Sequence, residues 1–344
     1  ARQIDRAERV ALGHLDDFHA ERAEGFRAPE FNVHRGNRAS TAARFLRPAM
    51  RRRNLTVETG ARAHRIVLER GRAVAVSYEH GGEMREARAR GEIILCGGAF
   101  NSPQLLLLSG IGPADELAQA GVQVVHDLPG VGRNLQDHQS IGLVFEAKGA
   151  ITFDSQLRCD RLAWHVLRWQ LFGTGAASAL PVAAQGFYRS RRELTWPDVQ
   201  FLISPVSMAA RPWFPLWRAG AGHRFSLANV VLHPQSRGAV TLRSANPKDP
   251  PRILFNLLQA PEDRATFRAA IAFARRFFAT APASELVTKE LMPGPQVRSD
   301  DEVDAYVRRM VGTAMHPTST CAMGIDAMAV VDAGLRVRGL DGLR

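Results

Sequence analysis

Cysteine and lysine are both scarce in this sequence. Cys96, Cys159 and Cys321 are its only cysteines, far apart and in no metal-ligand spacing. That excludes a disulfide framework and a thiolate zinc site, implies no metal, and fits a reducing compartment. Lysine is confined to Lys148, Lys248 and Lys289 among 45 basic residues. The longest basic run, Arg51-Arg52-Arg53, is broken at once by Asn54-Leu55. The net charge is +11 and the pI about 10.7, yet scattered arginine makes a solvated basic surface, not the clustered stripe that grips nucleic acid. No nucleic-acid partner is expected. Long hydrophobic runs are missing too: none approaches the roughly eighteen residues of a membrane span. The opening Ala-Arg-Gln-Ile-Asp carries no leader-like apolar region, so a cytoplasmic setting is expected. That opening, with an end at Asp341-Gly342-Leu343-Arg344, suggests a piece of something longer. What is present is ordinary for a globular chain: 344 residues, 45% hydrophobic and 23% charged, enough for two domains with a sizeable core.

Residues 1–30 read as polar and weakly helical, leading to a loop at Pro29–Val33. Ser40 to Met50 reads as a short helix capped by Ser40, with Phe45 and Leu46 making its apolar contact. A β region follows: Asn54–Thr59, Ala63–Leu68, Ala73–Tyr78 and Glu86–Arg90 alternate in the manner of a meander. Glu92-Ile93-Ile94-Leu95-Cys96 is apolar without alternation, as a strand buried on both faces would be. It stops at Gly97-Gly98-Ala99, and a helix is predicted from Ser102, with Pro103 at its first position. Pro113–Gly121 reads as another short helix, Val230–His233 and Gly238–Leu242 as strands. Glu262–Thr280 is the best amphipathic helix, with Phe267, Ile271, Phe273, Ala274 and Phe277 at helical spacing, and Asp300–Val311 is a second. All five tryptophans (Trp164, Trp169, Trp196, Trp213 and Trp217) fall between about 140 and 230. They are read as core packing, with an aromatic or cation–π pocket as the rival. The fold class is α/β, mixed with α+β.

Two stretches carry candidate chemistry. In Cys96-Gly97-Gly98-Ala99-Phe100-Asn101-Ser102-Pro103, a strand ends in small residues and turns into a helix. Such a bend either lets the backbone approach a ligand and aims free N–H groups at it, or is a tight turn that touches nothing. No complete GxGxxG follows a buried strand anywhere, so the chain has no self-sufficient dinucleotide site. The second stretch is Ala314-Met315-His316-Pro317-Thr318-Ser319-Thr320-Cys321-Ala322-Met323-Gly324. A histidine before proline is held stiffly in extended geometry, and imidazole suits proton transfer near neutrality. A satisfied loop histidine is the competing reading.

Gly98-Ala99-Phe100-Asn101-Ser102-Pro103-Gln104-Leu105-Leu106-Leu107-Leu108-Ser109-Gly110-Ile111-Gly112 resembles the second signature of the glucose–methanol–choline (GMC) oxidoreductases. Further stretches agree in the family's order: Phe45–Ala49 with Asn54–Val57, Asp127–His138, His233–Gly238, and His316–Gly324 with Val330–Asp332 and Leu335–Val337. The resemblance implies a partial FAD-binding, Rossmann-like domain over 1–140, a substrate-binding domain of antiparallel sheet plus helices over 141–312, and a return to the first domain over 313–344. It implies FAD as cofactor and oxidation of the CH–OH group of a small alcohol, whether choline-like, aliphatic or aryl. His316 would be the base taking the hydroxyl proton as hydride passes to flavin N5. Gly97, Gly98, Ala99, Asn101 and Ser102 would line the cofactor, Ala63 would meet the adenine through its backbone, and His233 would lie near substrate. The electron acceptor, oxygen or a carrier, stays open. The family's opening strand–GxGxxG–helix unit has no counterpart here, nor has the second catalytic residue that follows the histidine. The chain is therefore read as an internal fragment. The rival reading is a non-catalytic globular piece that retains no flavin.

Overall fold

A computed structural model describes residues 24–178 and 180–344. Along the chain its main elements are β1 (Gly25–Arg27), β2 (Arg62–Glu69), β3 (Arg72–His80), β4 (Glu83–Arg88), α1 (Gly98–Leu108), α2 (Ala114–Gln119), β5 (Gln139–Ala147) and α3 (Cys159–Phe172). There follow β6 (Ala184–Tyr188), β7 (Val199–Ser204), β8 (Arg224–Val231), β9 (Ala239–Thr241), β10 (Arg252–Leu254), α4 (Pro261–Ala279), β11 (Val287–Met292), α5 (Asp300–Met310) and β12 (Gly312–Thr313). The chain divides into two compact units. Unit 1 holds the described part of Ala1–Leu55 with Gln139–His233 and Ala260–Ala314, and unit 2 holds Thr56–His138, Pro234–Gln259 and Met315–Arg344.

Unit 1 is built on an antiparallel sheet in the order β1-β6-β7-β8-β5-β11, with β12 also pairing to β5. Along β5 the period-2 alternation is complete: Gln139, Ile141, Leu143, Phe145 and Ala147 are buried, and the residues between them are half-buried. The buried row meets α4, where Phe278 lies 4.5 Å from Phe145 between ring centroids. Phe273 and Phe277 extend this layer to Tyr188, Phe201 and Phe26, at centroid distances of 4.3 to 6.4 Å. Offset aromatic packing of this kind adds to the area term. α4 begins at Pro261, which costs the first turn no hydrogen bond. Ser299 caps α5 in a capping box with Glu302.

Unit 2 joins the three-stranded meander β2-β3-β4 to α1 and α2. Its core gathers Ile66, Ile93, Leu106, Leu107, Ile111, Val131, Val330 and Leu343, all at most 7% exposed. The C-terminal residues run beside the segment before α1: Ile93 N–H donates to Gly342 O and Arg344 N–H to Ile93 O, both at 2.9 Å. The mixed α/β class holds.

Several local expectations do not. The weak helix expected over the opening residues lies mostly outside the described residues, and Gly25–Arg27 is a strand. Ser40 does accept the Ala43 N–H at 3.2 Å, but a π-turn (Ala42–Leu46) precedes the α-turn Arg47–Ala49, and Phe45 is exposed instead of packed. Asn54–Thr59 forms no strand, lying between turns with no strand beside it among the described residues. Glu92–Cys96 is not a strand buried on both faces. It makes a single parallel bridge, Ile93 to Leu343, and Ile94 is 64% exposed because no described strand lies along its other edge. Trp164, Trp196 and Trp217 are exposed, so they are not core residues.

Candidate active site

α1 starts five residues earlier than Pro103 suggests. Gly97 is its N-cap and Gly98, at φ +74°, opens the helix. A Cβ on Gly97 would press against Asn101 Cβ and Ser102 N at 3.0 Å, whereas one on Gly98 would meet nothing within 4 Å. The bend is therefore tight on its inner side and open on its outer side. Ser102 Oγ accepts the Gly97 N–H at 3.0 Å, and no N-cap side chain covers the helix N-terminus.

Pro103 sits inside the helix and has no N–H to offer the Ala99 carbonyl one turn back. That carbonyl is not left orphaned. Thr320 Oγ1 donates to it at 2.6 Å, which fastens the 316–324 loop to the bend. The same loop is paired to the stretch before β5, where Gln136 and Thr318 exchange backbone hydrogen bonds of 3.1 and 2.9 Å. His316 is thereby brought beside Asp137 and His138. Its backbone N–H donates to Asp137 Oδ1 at 2.9 Å, and its ring Nδ1 lies 3.0 Å from His138 Nδ1, the rings meeting edge to face. Asp137 is buried, and among the described residues its Oδ2 has no partner. Met315 at φ +63° and Ser319 at φ +74° bracket the histidine in left-handed conformations that ordinary side chains avoid. Backbone strain of this kind concentrates at functional sites.

Two cavities in unit 2 flank the bend. One, of about 590 Å³, is lined by Ala63, Gly97, Asn101 and Ser102. The other, of about 630 Å³, is lined by Gly98, Ala99 and Ser102 together with Pro317 through Cys321. All six residues expected at a cofactor thus border one of two adjoining spaces, and the residue following His316 borders the second. Burial pushes the Cys321 thiol up to about 12, so it stays protonated there. Arg344, which also borders that space, holds Glu92 through a pair at 2.9 and 3.0 Å and keeps its carboxyl below the ordinary range. His233 belongs to unit 1, exposed on the loop after β8. Among the described residues no group of three His, Cys, Asp or Glu is placed to hold a metal, and no helix is long and apolar enough to cross a membrane. Asp137 and His138 were not singled out as site residues from the sequence. Their only signal was membership of the Asp127–His138 stretch.

Family profiles described as GMC oxidoreductase match residues 10–140 and 234–344. The chain belongs to the GMC oxidoreductase family. This GMC chain is 40% identical over 331 residues to an oxygen-dependent choline dehydrogenase of Brucella anthropi, an alignment covering 96% of this chain and 59% of that one. A protein of the same description from Chromohalobacter salexigens is 38% identical, over 99% of this chain and 61% of its own length. The chain thus spans about three-fifths of the curated relatives it matches. Among solved structures, a pyridoxine 4-oxidase from Mesorbium loti superposes with a TM-score of 0.82 at 30% identity, covering 99% of this chain and 63% of that one.

Proposed function

We propose that this chain is the larger part of an FAD-dependent oxidoreductase acting on the CH–OH group of a small alcohol, with His316 as the base. The observation that carries this reading is the imidazole of His316, hydrogen-bonded to that of His138 and tied through its own loop to the Gly97–Ser102 bend. Two imidazoles joined Nδ1 to Nδ1 share one proton between those atoms. When His316 Nδ1–H donates to His138, the Nε2 of His316 is left with its lone pair, ready to accept a proton from a hydroxyl. Asp137, gripping the His316 backbone N–H, holds the residue in place for that task.

The residues present fit the cofactor. Gly98 leaves the outer side of the bend open, the uncapped helix N-terminus turns N–H donors outward, and the spaces on either side have mixed apolar and polar linings. Gly97, Gly98, Ala99, Asn101 and Ser102 would hold it, with Ala63 bordering the adjoining space. When bound, FAD supplies the electron sink for the hydride that leaves the carbinol carbon. Unit 2 is read as the flavin-holding part, unit 1 as the part that receives substrate, with His233 a candidate there. The names of the relatives keep choline-like donors open and favour oxygen as the electron acceptor. The scarce, unpaired cysteines support a cytoplasmic setting.

The test is His316→Ala in the flavin-loaded protein. Turnover falls by roughly 10²- to 10⁴-fold while the flavin absorbance of the purified protein is retained; near-normal turnover removes His316 from the mechanism. The second reading, a piece that retains no flavin on its own, is favoured by the missing GxGxxG unit. It predicts that these 344 residues purify colourless even with FAD added.

A further inference from the structure

A cavity of about 80 Å³ lies in unit 1, in the layer between the sheet and α4. Ile203 of β7 and Phe225 of β8 line it from the sheet, Phe277 and Phe278 from α4. All four are at most 8% exposed. Ala183, just before β6, and Ala283, shortly after α4, also border it, and their side chains stop at Cβ. The rings hold one another in place: Phe278 lies 5.3 Å from Phe225 and 5.0 Å from Phe277 between centroids, the second pair edge to face. Closing the gap over the two alanines would separate rings already in contact. A packed interior leaves few such spaces.

The polar groups of the wall are already engaged. Thr152 Oγ1 is hydrogen-bonded to His223 Nδ1 at 2.9 Å. The carbonyls of Ile203, Pro205 and Leu286 accept the N–H groups of Ala183, Phe153 and Lys148 at 2.7, 2.7 and 2.9 Å. An internal water needs about two to four polar partners, and an apolar space without them stays dry. The volume is well below the ~150 Å³ of an apolar cavity that takes benzene, which limits a guest to a few heavy atoms. Ring faces and methyl groups offer such a guest dispersion contacts on several sides. Ile151, on the same lining, is 50% exposed and marks the side open to solvent.

We propose that this cavity binds an apolar molecule of a few heavy atoms, a dissolved gas or short hydrocarbon, and admits no water. Its wall shares no residue with the two spaces beside the Gly97–Ser102 bend or with the His316 loop. The proposal therefore stands apart from the flavin and alcohol chemistry.

Methyl NMR spectra of the full chain under xenon or propane pressure test it. The methyl signals of Ile203, Leu286, Ala183 and Ala283 are expected to shift and to saturate at roughly millimolar free gas, while those of Ile66 and Leu106 in the unit 2 core stay in place. Ala283→Leu, which fills the space, should abolish the shifts, with circular dichroism confirming the fold. Phe277→Leu, which widens it, should admit benzene, which the unaltered chain refuses. No saturable shift, equal shifts in both cores, magnetisation transfer from a long-lived internal water to the lining methyls, or shifts that survive Ala283→Leu in a folded protein overturns the proposal. None of these results bears on flavin retention or on His316, which are read by absorbance and turnover.

Discussion

α3 and α4 belong to the same unit, and both carry apolar residues at helical spacing, but they turn them in opposite directions. α4 buries nine of its nineteen residues against the sheet. α3 buries none of its fourteen. Its half-buried positions are Cys159, Leu162, His165 and Trp169, on one side of the helix, and polar bonds fix that side: Trp169 Nε1–H donates to Gly36 O and His165 Nε2 pairs with Gln156 Oε1, both at 2.7 Å. Trp164, Leu167 and Leu171 lie on the other side, exposed. Periodicity reveals that a helix has a stripe; the surrounding structure decides which way the stripe faces.

The contrast can be broken first at its strongest point. Phe267→Ala in α4, a fully buried ring, should cost ~3–5 kcal/mol of unfolding free energy in urea titration. A loss below 1 kcal/mol would mean that α4 does not anchor the unit. Leu171→Ser in α3 should shift the same measurement by no more than ~0.5 kcal/mol, because little apolar area leaves water there on folding. A larger loss would show that the outward stripe is covered in solution.

The smallest effect comes from the first turn of α3. Arg158 clamps Asp160 through two bonds of 2.7 and 2.6 Å and lowers its carboxyl from 3.8 to about 2. A carboxyl depressed in the folded state stabilises above its unfolded value and loses that contribution as pH falls through the folded one. The pair's small share should therefore be present at pH 5, fade between about pH 4 and 2, and be absent at every pH in Asp160→Asn. Thermal midpoints of the two proteins across that range check it.

Legibility followed the range of the interaction. α4, α5 and the meander β2-β3-β4 were readable because their periods and caps lie within a few neighbouring residues. The bend at Gly97–Ser102 was readable as a place but not in register: Pro103 signals a helix start, and the hydroxyl that satisfies the Ala99 carbonyl left by the earlier start comes from Thr320, 221 residues away. The partner of His316 was hidden for the same reason. Its imidazole meets that of His138 across 178 residues, and no local pattern encodes such a meeting. Glu92–Cys96 misled because an apolar run reports a liking for burial without naming the neighbours that would supply it. The outward tryptophans misled in the same way.

The hydroxyl that stands in for the amide Pro103 lacks has a mechanical consequence. The Thr320 side chain serves as a latch across two otherwise separate backbone turns, so the histidine-bearing loop cannot lift without exposing a stranded oxygen at Ala99. Replacing that threonine by valine would keep the shape and undo the latch. The loop would then keep its backbone pairing to Gln136 but lose its tie to the helix beneath it.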